Sequence, residues 1–288
     1  MKKILIIIIT VITIISCNQK ANNDVIMYSN LAGEKSQTFV KNLLIENGIK
    51  EENVDSFLEQ VKLFNEAVEN KDLIDDFKQI DNLESLEYDV EFMIEKLEKK
   101  YPDFVGCNCR ITSYTIMKDL INIENDGKIN GSSNFLFLDK NSLENIPLEL
   151  KLDRDKFISL YTDIPTEKTK DYNIHLKNIQ TEWENRKISF TNDNISMISV
   201  FLHSDLDEPN SLFIGHIGVL VKNKDKFVFI EKLSFQEPYQ VIIFNNKTEL
   251  NDYLMNHYDT SYNQPTAHAM LLENNKLLET YKIKEEGK

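Results

Sequence analysis

Residues 211–234 read SLFIGHIGVLVKNKDKFVFIEKLS, two runs rich in Val, Ile and Phe on either side of a turn-like NKDK. Period-two alternation and β-branched content predict two antiparallel strands joined as a hairpin. The pattern extends to both sides, in NISMISVFLHS at 194–204 and YQVIIFN at 239–245. A helix is expected near 247–258, and AHAMLLENNKLLETYKI at 267–283 reads as a terminal hairpin turning at Asn274-Asn275.

Upstream the period is helical. SQTFVKNLLIENG places Phe39, Val40, Leu43 and Leu44 on one face, with Gly48 as a stop. Val54, Phe57, Leu58, Val61, Phe64 and Val68 recur at three- and four-residue spacing, an amphipathic helix with its charges outward. A third helix is expected through SLEYDVEFMIEKLEKKY, closed by Lys99, Lys100 and Pro102. CRITSYTIMKDLIN at 109–122 predicts a fourth, with Asn108 as N-cap and Cys109 at its first position. FLFLD at 135–139 reads as a strand; DRDKFISLY and 171–186 read as helices. Helices first and a mostly antiparallel sheet after them define an α+β chain. With eight glycines in all and no glycine-rich phosphate loop, a nucleotide fold is a poor fit.

The chain opens MKKILIIIITVITIISCNQK. Lys2 and Lys3 form a basic n-region, and the apolar run from Ile4 to Ile15 falls short of the ~20 residues a membrane span needs. Ile14-Ile15-Ser16-Cys17 resembles a bacterial lipobox. The expectation is a signal peptide over 1–17, lipidation at Cys17, a polar tether over 18–30, a helical region over 31–102 and a core over 103–288. The protein would then be anchored by lipid in the bacterial cell membrane, facing the extracytoplasmic side. The formal charge is −14, and −16 without Lys2 and Lys3; a chain this acidic is repelled by nucleic acid, which is excluded as a partner.

If Cys17 carries lipid, Cys107 and Cys109 are the remaining thiols in an exported chain. One intervening residue is too short a spacing for an unstrained disulfide. A thiol becomes a nucleophile as thiolate, favoured by a helix N-terminus and by a nearby imidazolium. Cys109 has the first by position; Cys107 reads as a small buried hydrophobe. His216, in FIGHIGVLV, supplies the second. Gly215 and Gly218 flank it, as where something approaches the backbone closely. Pairing across NKDK would bring Glu231 to the far ring nitrogen. Arg110 could support the thiolate, bind a substrate carboxylate or be solvated. His203 and His268 lack partners at metal spacing, so neither a metal nor a cofactor is expected. His175 and His257 read as surface, and Trp183 as packing.

The cysteine opening a helix in NCRIT, the HIGVL strand and the third residue on the next strand resemble the NlpC-type, papain-like cell-wall peptidases and amidases. The resemblance implies a papain-like core with Cys109 as nucleophile, His216 as base and Glu231 as the orienting acid. Asn108 stands where that family commonly has aspartate, and Arg110 where it has a small residue. Gln236 lies after the His strand, not where such enzymes keep their oxyanion glutamine, and is expected only to line the site with Asn108 and Arg110. GCNCR, GHIGVL and EKLSFQEPYQ are similar to segments of a family of bacterial lipoproteins named only as a domain of unknown function. The combined expectation is a thiol hydrolase acting on an amide in a peptide or peptidoglycan stem, with a non-catalytic binding or envelope-interaction module as the rival.

Overall fold

The computed structural model describes residues 26–124, 129, 131–259 and 264–283. In chain order its first half holds β1 (Ile26–Ser29), α1 (Glu34–Glu46), α2 (Glu51–Ala67), β2 (Lys78–Ile80), α3 (Val90–Lys100), α4 (Cys109–Met117) and β3 (Ile121–Ile123). Next come α5 (Phe137–Asn145), α6 (Arg154–Tyr161), β4 (Ile164–Pro165), α7 (Tyr172–Asn185) and β5 (Ile188–Phe190). The sheet-rich end holds β6 (Ile195–Ser204), β7 (Ser211–Asn223), β8 (Lys226–Lys232), β9 (Tyr239–Phe244), α8 (Lys247–Tyr258), β10 (Met270–Glu273) and β11 (Lys276–Leu277).

The main sheet runs in the order β11-β10-β6-β7-β8-β9-β1-β2, with β4 added to β7. Its described pairings are all antiparallel. Strand alternation divides its residues between two apolar layers. Ile217, Val219, Val228, Ile230 and Val241 point into the larger layer with Val54, Phe57 and Val61 of α2 and Ile111 and Ile116 of α4. Ile198, Val200, Leu220, Phe229 and Ile242 point to the other side, against Leu250, Leu254 and Met255 of α8. Because both faces are covered, these strands carry nearly unbroken apolar runs instead of the period-two alternation expected of them.

The four long strands, the final hairpin and α8 stand where the sequence places them. Several boundaries differ. Residues expected to close the tether at 18–30 include β1, which pairs with both β9 and β2 inside the sheet. The region 31–102 is not helical throughout, since α3 starts only after its N-cap Asp89, whose side chain accepts from Phe92 N–H, and β2 precedes it. Nor does the region stand apart, because α1 and α2 share one apolar cluster with α4 and the sheet. The helix from Cys109 ends at Met117 and the chain turns into β3, which pairs with β5. FLFLD is not a strand: Leu136 and Asp139 are buried three residues apart while Phe137 is 66% exposed, a helical pattern. The leader, Cys17 and the first tether residues lie outside the described residues; among those described, no helix is long and apolar enough to cross a membrane.

Gly218 stands at the centre of the sheet opposite Glu231. A Cβ there would overlap the Phe229 ring and come within 2.9 Å of the Ile230 carbonyl oxygen. Gly218→Ala is expected to lower the unfolding free energy by about 1–3 kcal/mol, read from urea denaturation; an unchanged midpoint would show that the ring moves aside freely.

Candidate active site

The approach to α4 is fixed from both sides. Gly106 adopts φ +99°, and the Phe235 carbonyl oxygen occupies the space a Cβ would need. Only glycine fits both the backbone and that contact. Ser142 of α5 donates to the Gly106 carbonyl at 2.6 Å. Asn108 caps α4, its Oδ1 accepting from Ile111 N–H at 3.0 Å, and its Nδ2 donates to Asp139 Oδ1 at 2.8 Å. Asp139 is fully buried and also accepts from Arg110 Nε at 2.8 Å and Nη2 at 2.7 Å. The remaining Arg110 donor, Nη1, reaches the Ile214 carbonyl at 2.9 Å, two residues before His216. One carboxylate therefore holds the cap and the guanidinium that ties α4 to β7.

On β7, Phe201 pairs with Ile214 and Val200 with His216, so Gly215 is the extra residue of a β-bulge. Bulges re-aim neighbouring side chains. His216 is 1% exposed, and its Nε2 donates to Glu231 Oε2 at 2.5 Å. Glu231, also buried, faces glycine on the neighbouring strand and reaches diagonally to the imidazole. Its other oxygen accepts from Gln240 Nε2 and Tyr253 OH, each at 2.6 Å. Gln240 Oε1 accepts in turn from Tyr28 OH at 2.7 Å. With Nε2 committed to Glu231, Nδ1 is the ring nitrogen left for the thiol.

Cys109, 5% exposed at the first position of α4, lies within electrostatic reach of His216. Burial would raise its pKa, but the charge and hydrogen bond of His216, helped by the Arg110 charge, outweigh that and lower it. For His216, burial opposes protonation, yet the Cys109 and Glu231 charges raise it to about 9. Burial also works against ionised Glu231, and the imidazolium with its hydrogen bonds still holds it below the usual carboxylate value. The three directions agree in favouring a thiolate beside an imidazolium, with Glu231 ionised behind it.

Cys107 differs although it lies only two residues away. Burial pushes its thiol up to about 12 against the pull of Lys232; neither thiol forms a disulfide. Lys232 is itself buried, its ammonium 3.8 Å from the Phe64 ring centroid and 4.9 Å from that of Tyr239. It donates to the Ser234 carbonyl at 2.8 Å and to that of Glu237, and so folds the loop that carries Phe235 against Gly106. Burial pushes its pKa down to about 7, against the Cys107 and Glu237 charges.

The structure joins Cys109, His216 and Glu231 and places Asn108 and Arg110 directly beside them. Arg110 is neither solvated nor open to a substrate carboxylate, because Asp139 occupies it. Gln236 lies one step outward, donating to the Val105 carbonyl at 3.2 Å. His175, expected at the surface, is fully buried between Thr166 Oγ1 at 2.7 Å and the Thr169 carbonyl at 2.8 Å. Asp139, Ser142, Gln240 and Tyr253 escaped the sequence reading. A helical reading of FLFLDKNS, with Asp139 and Ser142 on one face, was the available signal for two of them. Among the described residues, no group of three or more His, Cys, Asp or Glu side chains is placed to hold a metal.

A family described as a domain of unknown function, DUF4300, matches residues 27–278. The chain belongs to this family. No curated protein and no solved structure matches it. The DUF4300 match runs from the second residue of β1 past the closing hairpin, so the site and all of the sheet but Ile26 lie within the family's domain.

Iodoacetamide alkylation of Cys109 followed against pH is expected to rise with a midpoint below the ~8.5 of an ordinary thiol. His216→Ala should move that midpoint upward, with Cys107 unlabelled throughout; a wild-type midpoint at or above the ordinary value contradicts the ion pair. Asp139→Ala leaves the Arg110 charge without its partner and should cost roughly 3–5 kcal/mol, measured by chemical denaturation. A negligible loss would mean that the carboxylate does not organise the cap.

Proposed function

We propose that this chain is an exported, lipid-anchored thiol hydrolase with a papain-like core that cleaves an amide bond in a peptide or a peptidoglycan stem. The observation that carries the reading is the Cys109–His216–Glu231 arrangement, with the sulfur at a helix N-terminus and the far imidazole nitrogen held by a buried carboxylate. The thiolate attacks the carbonyl carbon, and a C–S bond forms as the carbonyl π pair moves onto oxygen. The Cys109 and Arg110 amides, which have no acceptor inside the helix, would serve that charge, since Ile111 N–H is taken by the Asn108 cap. As the oxyanion collapses the C–N bond breaks, and the amine leaves with the His216 proton. Water, giving a proton to His216, then splits the thioester. An amine in place of water would make the same site an acyl transferase.

The lipobox-like Ile14-Ile15-Ser16-Cys17 supports the anchor and the extracytoplasmic side. The chain's resemblance to NlpC-type enzymes supports the substrate class.

Enclosure favours the second reading, a non-catalytic surface module on the same fold. Cys109 and His216 are both nearly inaccessible, as in a packed core.

Incubating the purified protein with peptidoglycan stem peptides, and reading products by mass spectrometry, separates the two. The hydrolase reading expects new amines, no product from Cys109→Ala, and kcat lowered by about 100- to 10,000-fold in His216→Ala. Cleavage by Cys109→Ala equal to wild type would refute the thiol mechanism, and full complementation of a deletion strain by that variant would favour the module.

A further inference from the structure

Helix α8 ends on Tyr258, whose ring lies flat on the His216 imidazole with centroids 4.2 Å and planes 12° apart. Its hydroxyl is buried and has no hydrogen-bond partner among the described residues. Buried polar atoms in folded proteins are nearly always paired, so an unpaired donor on a ring stacked against His216 calls for an acceptor that arrives from outside. Burial first, then the Glu231 and Cys109 charges, holds the phenol pKa well above its usual value, so the group remains a neutral donor. Glu231 is not the missing acceptor, since its oxygens already serve His216, Gln240 and Tyr253. The side-chain amide that might have served an oxyanion, Gln236, is bound to Val105.

Tyr258 also lines a cavity of about 280 Å³ with Leu202, Phe213, Asp259 and Ala269. From β7 the cavity takes Phe213, three residues before His216. An acyl group entering there would bring its carbonyl oxygen to the Tyr258 side of the dyad. During attack by sulfur, negative charge moves from the thiolate to that oxygen, and a neutral donor beside it stabilises the transition state more than the ground state.

We propose that Tyr258 is a catalytic residue of this site, donating its hydroxyl hydrogen bond to the acyl oxygen as Cys109 attacks, and that the cavity beside it admits the acyl group. The inference rests on the thiol-hydrolase reading. With p-nitrophenyl acetate as probe, Sγ bonds to the acetyl carbon, the carbonyl oxygen carries the charge, and p-nitrophenolate leaves with the C–O bonding pair. Water later releases acetate.

The test compares full-chain wild type, Cys109→Ala and Tyr258→Phe in acylation by this ester and in alkylation by iodoacetamide, which attacks no carbonyl. Tyr258→Phe keeps the ring against His216 and is expected to slow acylation on the order of 100-fold while alkylation and its pH profile are unchanged. Acylation at the wild-type rate overturns the inference and leaves the hydrolase reading standing. Equal slowing of both reactions overturns it too, since the hydroxyl would then act on the thiol. Wild type no faster than Cys109→Ala removes the hydrolase reading and this inference together.

Discussion

The site hangs on one buried carboxylate. Asp139 satisfies the N-cap side chain of α4 and two nitrogens of Arg110, and Arg110 spends its remaining nitrogen on the backbone of β7 just before His216. Helix and strand are thereby locked in register where α4 opens beside the His216 stretch of β7. A hydrophobic contact could not do this, because it fixes distance loosely and direction hardly at all. Asp139 is buried with Arg110 as its counter-charge, so the geometry is over-determined and costly to disturb.

Strand β8 extends the same logic to both faces of the sheet. Glu231 turns to the imidazole, and its neighbour Lys232 turns the other way, toward Phe64 and Tyr239, where it gathers the carbonyls of the following loop. That loop supports Gly106 and the entry to α4. Two successive residues of one strand thus orient the His216 imidazole and brace the helix that Cys109 opens. The two cysteines answer to the same electrostatics with opposite results. Both are buried, but for Cys109 the charge of His216 outweighs burial, whereas for Cys107 burial prevails over the Lys232 charge and the Tyr239 hydrogen bond.

Much of this was legible in the sequence for physical reasons. The hairpin across NKDK fixes the offset of His216 and Glu231, because strand pairing converts turn position into register. Asn108 before an apolar helical repeat signals the cap that puts Cys109 in the first turn. What escaped was long-range or helical in disguise. FLFLD is a short unbroken apolar run that fits a strand as well as a helix, and nothing local shows that Asp139 needs a helix to reach Asn108 and Arg110. His175 sits among polar neighbours in the chain but is buried where α7 meets the preceding segment that holds Thr166 and Thr169, and His203 of β6. For Arg110, three roles remained open until its partner, 29 residues away in sequence, was placed. The tether boundary failed because IMYS is too short for its period to be read, and its strand partner lies more than two hundred residues downstream.

The central claim is that Cys109 and His216 share a separated charge pair in the resting protein. Nitrogen-15 NMR of the His216 ring, in wild type and in Cys109→Ala, observes it directly. The expected result is a doubly protonated ring at neutral pH that titrates near 9 in wild type and at lower pH once the thiolate is gone. A neutral His216 ring at pH 7, with the same titration in both proteins, would contradict it.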